Sequence, residues 1–420
     1  MKTIEKIRRT EVRVAAPPSK AHTLRGLVIA SLAEGRSLLR NPLLADDQRN
    51  VIACLRALGV GVEESSDGIV VEGRGARFRA PSRDLHLGDS GVGMNFLIAA
   101  ANYADGPVTL TGSDRLRERP VGEIVEGLRG LGCSIECLGE EGFPPARLRG
   151  GGIRGGRTRM RGAKTSQYFS SLAVSAACAD GDVEITCLDE MTERPYFDIT
   201  LQMMTAFGVE AGNSDYRTIT VPAGLRYRGR EMTIEGDYSS ASFFFLAAAV
   251  CGTRVTVTEL NPDTAQGDRA FLDLMAKMGC RVSRSGWEVC VEGGALAPIE
   301  EDMSDVPDLV PPVAVAAAYA EGISRLTRIG HLRHKECDRL AVMASELRKM
   351  GVEASCDEDS LTVVGGKPLH GARIDPHNDH RMAMSLAVAG LPVGGQTIEN
   401  EGCVAKSFPD FWERFSVFAD

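Results

Sequence analysis

Two apolar patterns alternate along this chain. In the first, helix-spaced apolar residues run out at a glycine and give way to a short alternation of apolar and polar positions. It occurs in "LRALGVGVEESSDGIVVEG" from Leu55, "LRGLGCSIECLGEEG" from Leu128, "MMTAFGVEAGNSDYRTITVPAG" from Met203, "LMAKMGCRVSRSGWEVCVEGG" from Leu274 and "LRKMGVEASCDEDSLTVVGG" from Leu347. Each predicts an amphipathic helix closed by glycine, then a strand and usually a returning strand. The closing glycines, Gly59, Gly132, Gly208, Gly279 and Gly351, are 73, 76, 71 and 72 residues apart. In the second pattern a wholly apolar, small-residue helix ends at Gly35, Gly106, Gly181, Gly252, Gly322 or Gly394, at steps of 71, 75, 71, 70 and 72. Two registers with one period near 72 define six repeats, the sixth incomplete at its C-terminal end.

Each repeat holds two helices and several short strands, so the class is α/β. A unit of this size cannot bury a wholly apolar helix alone, so several such helices must pack together within shared sheets. Six units divide most simply into two domains of three. The expected crossings lie at Val14 to Lys20, with Pro17 and Pro18, and at Arg230 to Asp237, with Gly236. Residues 1–16 with 236–420 then form one domain, which includes the N-terminal strand, and 17–235 form an inserted one.

Composition narrows the function. With 48 Lys plus Arg against 57 Asp plus Glu, the net charge of −9 excludes a nonspecific coat for nucleic acid or anionic membrane. The 11 Cys are scattered singly, as in a reduced compartment. Met1 to Val14 has no signal-peptide core, and the longest apolar stretches, Phe243 to Cys251 and Leu309 to Ala320, are too short for a membrane span. The expectation is a cytoplasmic protein without nucleic-acid or membrane partners.

Polar residues gather where the small-residue helices begin: "PPSKAHTLR", "GDSGVGMN", "AKTSQYF", "GDYSSAS", "SDVPDL" and "PHNDHRM". Ser, Asp and Asn there are ordinary N-caps. Lys20, Arg25 and Arg381 are not explained that way, because cations oppose the positive end of a helix dipole. A bound anion would explain them. Helix starts from two domains facing one another would then make an interdomain cleft for a small anionic molecule. Two charged runs, "DRLRERP" from Asp114 and "HLRHKECDR" from His331, read either as solvated faces or as carboxylates set among cations for proton transfer.

Ser19-Lys20 with Arg25, Arg119-Pro120, Ser166-Gln167-Tyr168, Pro195-Tyr196, Gly236-Asp237 with Ser239 and Ser240, Pro307-Asp308, Lys335-Glu336 with Asp338-Arg339, Asn378-Asp379-His380-Arg381 and Ala405-Lys406 follow one another along the whole chain. In this order they resemble the enolpyruvyl transferase family. The resemblance implies two domains of three βαβαββ-type units each, an inverse α/β barrel arrangement with the active site in the interdomain cleft. It implies transfer of the enolpyruvyl group of phosphoenolpyruvate to an alcohol, the 5-hydroxyl of shikimate 3-phosphate in the branch it is most similar to. Phosphate leaves through a tetrahedral adduct, with no metal or organic cofactor, and the enzyme is expected to be a monomer.

The resemblance also assigns residues. Lys20, Gly91, Arg119, Gln167, Arg339, Arg381 and Lys406 would hold phosphoenolpyruvate. Arg25, Thr165, Ser166, Tyr196, Asp308 and Lys335 would hold the acceptor, with Asp308 as base, Glu336 as acid, Lys20 sharing proton transfer and His380 behind them. Departures from the family pattern cluster on the acceptor side at Ala21, Asn95, Glu193 and His331. Glu193 puts a carboxylate where many members serve a phosphate, with Arg194 as its obvious partner. Two readings stay open, a drifted site for shikimate 3-phosphate and a site for a related, unphosphorylated alcohol. A catalytically silent binding protein would have lost the acid, base or cations. The branch acting on UDP-N-acetylglucosamine usually has a Cys in the loop that here carries Asp114. His331 with His334 and His377 with His380 have HxxH spacing but no third zinc-type ligand.

Overall fold

The computed structural model describes residues 1–419, and its chain divides into two compact units, Met1–Pro17 with Glu235–Asp420, and Pro18–Ile234. Among the described residues the strands make six separate sheets, five of four strands and one of three. The repeat is plainest in the middle of the inserted unit. Strand Leu85–His86 leads to helix Gly91–Ala100, strand Val108–Thr111, helix Gly122–Gly130 and the pair Ile135–Cys137 and Ala146–Leu148. The opening strand lies parallel to the second, and the last two complete the sheet antiparallel. Residues 156–221 repeat this order.

The two chain crossings trade opening strands. Glu11–Ala15 precedes helix Lys20–Leu32 in sequence but pairs with Arg254–Thr258 in the unit that holds the termini. Glu231–Thr233 precedes helix Tyr238–Cys251 but pairs with Glu34–Arg40 in the inserted unit. The sixth repeat lacks the returning hairpin strands. Lys2–Ile4 fills part of that place, running antiparallel to Gln396–Ile398, so the N-terminus closes the last repeat.

The small-residue helices are the inner layer: α1 (Lys20–Leu32), α2 (Gly91–Ala100), α3 (Gln167–Ala176), α4 (Tyr238–Cys251), α5 (Val310–Tyr319) and α6 (His380–Ala389). In the inserted unit α2 packs on α1 and on α3; in the other unit α4, α5 and α6 pack on one another. Every residue of α6 is buried, which a helix without a polar face requires. The amphipathic helices bury one side only, as Val51, Ile52, Cys54 and Leu55 do in Asp46–Ala57. All five glycines that close the amphipathic helices, Gly59, Gly132, Gly208, Gly279 and Gly351, have φ between 83° and 107°, the left-handed turn at which a side chain is strained. The unit with the termini also carries an aromatic seam, in which Phe411 packs edge-on against Phe243 and Phe408, and stacks on Phe415.

Candidate active site

In the inserted unit, polar residues collect at the starts of α1, α2 and α3. Ser19 caps α1 by accepting the His22 amide. Next to it Lys20 Nζ meets Asp47 Oδ2 at 2.6 Å, and Asp47 is buried in the first turn of helix Asp46–Ala57. Ser90 caps α2 in the same way through Gly93. At Gly91 the Arg119 guanidinium lies so close that a Cβ would stand 2.4 Å from its Cζ. The Arg119-Pro120 turn is tied down by Tyr168, whose hydroxyl donates to the Pro120 carbonyl at 2.7 Å. Asn95 Nδ2 donates to Gln167 Oε1 at 3.1 Å, which turns the Gln167 amide nitrogen into the group that can donate to a ligand.

A second group surrounds Arg25, which is 1% exposed. Its Nε donates to Thr200 Oγ1 at 2.8 Å, Nη1 to the Ala21 carbonyl at 3.1 Å and Nη2 to the Tyr196 carbonyl at 2.8 Å. Burial pulls its pKa down to about 10, against the opposing influence of Tyr196 and Glu193. Glu193 is buried, with φ of 58°, immediately before helix Arg194–Ala206. Its carboxylate accepts from the Thr165 hydroxyl and its carbonyl from Ser166 Oγ at 2.8 Å. The Thr165 hydroxyl also accepts the Gln167 amide at 3.2 Å. Arg194 lies over the Tyr216 ring, 5.7 Å from the centroid.

In the unit with the termini the charges converge on Arg339, the first residue of helix Arg339–Lys349, 2% exposed. Its Nε donates to Asp379 Oδ2 at 2.7 Å, Nη1 to Asp308 Oδ1 at 2.9 Å and Nη2 to Glu336 Oε2 at 3.0 Å. Arg381 Nη2 holds the other oxygen of Asp308 at 2.7 Å, and Lys406 Nζ stands 3.7 Å from Glu336 Oε1. Burial opposes the charge of Asp308, but Arg381, Arg339 and Lys335 outweigh it and hold the carboxyl well below the usual carboxylate range. Burial likewise opposes the charge on Arg339, and Asp379, Glu336 and Asp308 more than offset it. The local sequence explains the placement. Asp308 sits in the short turn Pro307–Leu309 that starts α5, and Asp379 caps α6 by accepting the Arg381 amide. His380 is buried with Nδ1 3.8 Å from Asp379 Oδ1, and His331 is buried in the turn Gly330–His334 that leads to Lys335.

These contacts link Asn95, Gln167, Thr165 and Glu193 in the inserted unit, and Asp308, Glu336, Arg339, Arg381 and Lys406 in the unit with the termini. Arg339, which the family resemblance places at phosphoenolpyruvate, here donates to three carboxylates, Asp379, Asp308 and Glu336. Sequence reading gave no role to Asp47, Asp379, Ser239 or Asp268. Asp47 and Asp379 carried a usable signal, acidic residues at helix starts beside a cation. Asp268 carried none. Among the described residues no group of three or more His, Cys, Asp and Glu is arranged to hold a metal.

Fold and side chains together define a two-domain α/β protein in which paired carboxylates are set among buried cations. A family model described as EPSP synthase (3-phosphoshikimate 1-carboxyvinyltransferase) matches residues 4–415. The chain is 45% identical to a 3-phosphoshikimate 1-carboxyvinyltransferase of Methanoculleus marisnigri over 95% of its own length and 94% of the relative's. It is 44% identical to that of Methanoregula boonei, over 97% and 96%. The solved structure of EPSP synthase from Acinetobacter baumannii superposes with a TM-score of 0.82 at 27% identity, covering 99% of this chain and 97% of that one. The chain belongs to the EPSP synthase family.

Proposed function

We propose that this protein transfers the enolpyruvyl group of phosphoenolpyruvate to the 5-hydroxyl of shikimate 3-phosphate, releasing phosphate. The observation that carries the reading is the placement of Asp308 and Glu336 on two nitrogens of one buried guanidinium, with Arg381 and Lys406 beside them. Glu336 donates a proton to the methylene carbon, so that C2 becomes electrophilic. The acceptor oxygen attacks C2 while Asp308, held ionised, takes the hydroxyl proton. In the adduct C2 carries a methyl group, the carboxylate, the new ether oxygen and the phosphate oxygen. A methyl proton then returns to Glu336, the bond from C2 to the phosphate oxygen breaks, and the double bond is restored. Lys20 supplies charge and a share of the proton transfer to the leaving phosphate.

Lys20, Arg119, Gln167, Arg339, Arg381 and Lys406 answer to phosphoenolpyruvate, with Gly91 giving Arg119 its room. Arg25, Thr165, Ser166, Tyr196 and Lys335 answer to the acceptor. The substrates' anionic groups replace protein carboxylates as partners of these cations, which releases Asp308 and Glu336 for proton transfer. The reading includes a cytoplasmic monomer, and the 11 free cysteines suit a reduced compartment.

The test is phosphate release from phosphoenolpyruvate with shikimate 3-phosphate or with unphosphorylated shikimate. The expected kcat/KM favours the phosphorylated acceptor by roughly 100-fold or more. Faster release with the unphosphorylated alcohol, or none with either, would overturn the reading. Glu336→Gln should lower kcat by roughly 10³-fold while the protein keeps its far-UV circular dichroism.

A further inference from the structure

Asp268 stands outside every motif discussed above. It lies in the short turn Gly267–Ala270 and is 4% exposed. Its carboxyl hydrogen-bonds the Ser239 hydroxyl near the start of α4, and that hydroxyl accepts from Arg381 Nη1. Since the other Arg381 nitrogen holds Asp308, polar contacts run from Asp308 through Arg381 to Ser239, and the buried Asp268 faces this cluster. The turn is held in place by Gln266. Its Oε1 accepts the Tyr238 amide at 2.9 Å, and its Nε2 donates to the Gly236 carbonyl at 2.8 Å and to Glu235 Oε1 at 2.7 Å.

We propose that Asp268 is a positioning residue of the phosphoenolpyruvate site, acting through Ser239 on Arg381, and that phosphoenolpyruvate binding is thereby linked to the uptake of a proton by Asp268. The inference rests on the reading that Arg381 holds phosphoenolpyruvate. The charged groups facing Asp268 are Asp308 from the start of α5, Asp237 from the cap of α4 and Arg381 from the start of α6. Arg339 and Lys335 stand behind Asp308. Burial, joined by Asp308 and Asp237 and opposed by Arg381 and Ser239, pushes the carboxyl up to about 7. An anion that engages Arg381 draws that cation's compensation away from Asp268 and adds negative charge nearby. Both effects favour the protonated carboxyl, so affinity falls as pH rises through its titration.

The experiment measures KM for phosphoenolpyruvate from pH 6 to 9 in the full-length wild type, Asp268→Asn, Ser239→Ala and Arg381→Ala. The substrate phosphate also titrates near pH 6, but identically for every variant, so only differences between profiles are read. In the wild type KM should rise across neutral pH by roughly 5- to 10-fold more than in Asp268→Asn, with the change in KM rather than kcat. Titration calorimetry in two buffers of different ionisation enthalpy should show a fraction of a proton taken up by the wild type and less by Asp268→Asn. Should Asp268→Asn fail to fold, Ser239→Ala, which removes a group that favours the ionised carboxyl, is expected to move the rise in KM to higher pH, and an unmoved profile would overturn the inference. Superimposable wild-type and variant profiles, with Arg381→Ala raising KM, would overturn this inference and leave the assigned function standing. An unchanged KM in Arg381→Ala would remove the reading beneath it.

Discussion

At Gly91 one hydrogen atom in place of a methyl group decides where a guanidinium rests. Gly91→Ala would put a Cβ 2.4 Å from the Arg119 Cζ, so the flexible end of Arg119 must move. Steady-state kinetics should show KM for phosphoenolpyruvate raised by roughly 10-fold, a shift of about 1.4 kcal/mol, with the acceptor KM nearly unchanged. Arg339 poses the opposite case, a buried cation with three carboxylates on it. Arg339→Ala leaves those carboxylates facing one another and should destabilise by about 3–5 kcal/mol in urea unfolding. For Asp268 the sign follows from a folded pKa near 7 against an ordinary 3.8. The folded state binds the extra proton between those values, so stability is fullest below the lower one and falls as pH rises through the higher. Asp268→Asn should accordingly raise Tm relative to wild type more at pH 8 than at pH 5. Sequence made Gly91, Arg119 and Arg381 legible because they stand in ordered motifs. Asp268 was not legible, since its significance depends on Ser239, 29 positions away in sequence.

The elements were more legible than the site. An apolar run without a polar face escapes water only by burial on all sides, and α6 is buried throughout while α4 and α5 are buried up to their last one or two residues, the three packing on one another. The periodic glycines announced helix ends, and the left-handed φ at Gly208 and its four counterparts is the physical content of that signal. Nothing lies within 4 Å of a Cβ built at Gly208, so Gly208→Ala tests backbone strain alone. It should lower stability by about 1 kcal/mol, read from the midpoint of denaturant unfolding. The trading of opening strands at the crossings was legible in outline, because the breaks at Pro17-Pro18 and Gly236 assign Glu11–Ala15 to the unit with residues 236–420 and Glu231–Thr233 to the inserted one, as their pairings show.

For the whole molecule, the unit that contains the termini is assembled from both ends of the chain. Deleting Met1 to Ala15 removes the edge strand beside Arg254–Thr258 and the strand that completes the sixth repeat. Hydrogen exchange should then show protection lost in residues 235–419 while α1, α2 and α3 keep theirs; uniform loss across the chain would contradict this division. The net charge of −9 belongs to the same scale, for it describes the surface and conceals the buried cations Arg25, Arg339 and Arg381. By itself the sequence determined the repeat, the class of fold and the residue types able to handle anionic substrates, because periodicity, helix ends and motif order are local and survive in one dimension. Only the tertiary structure decided that Arg339 holds three carboxylates, that Glu193 takes the Thr165 hydroxyl and that Asp268 is buried. Those outcomes depend on which buried polar groups meet, and burial, which makes each meeting decisive, exists only once the helices have packed.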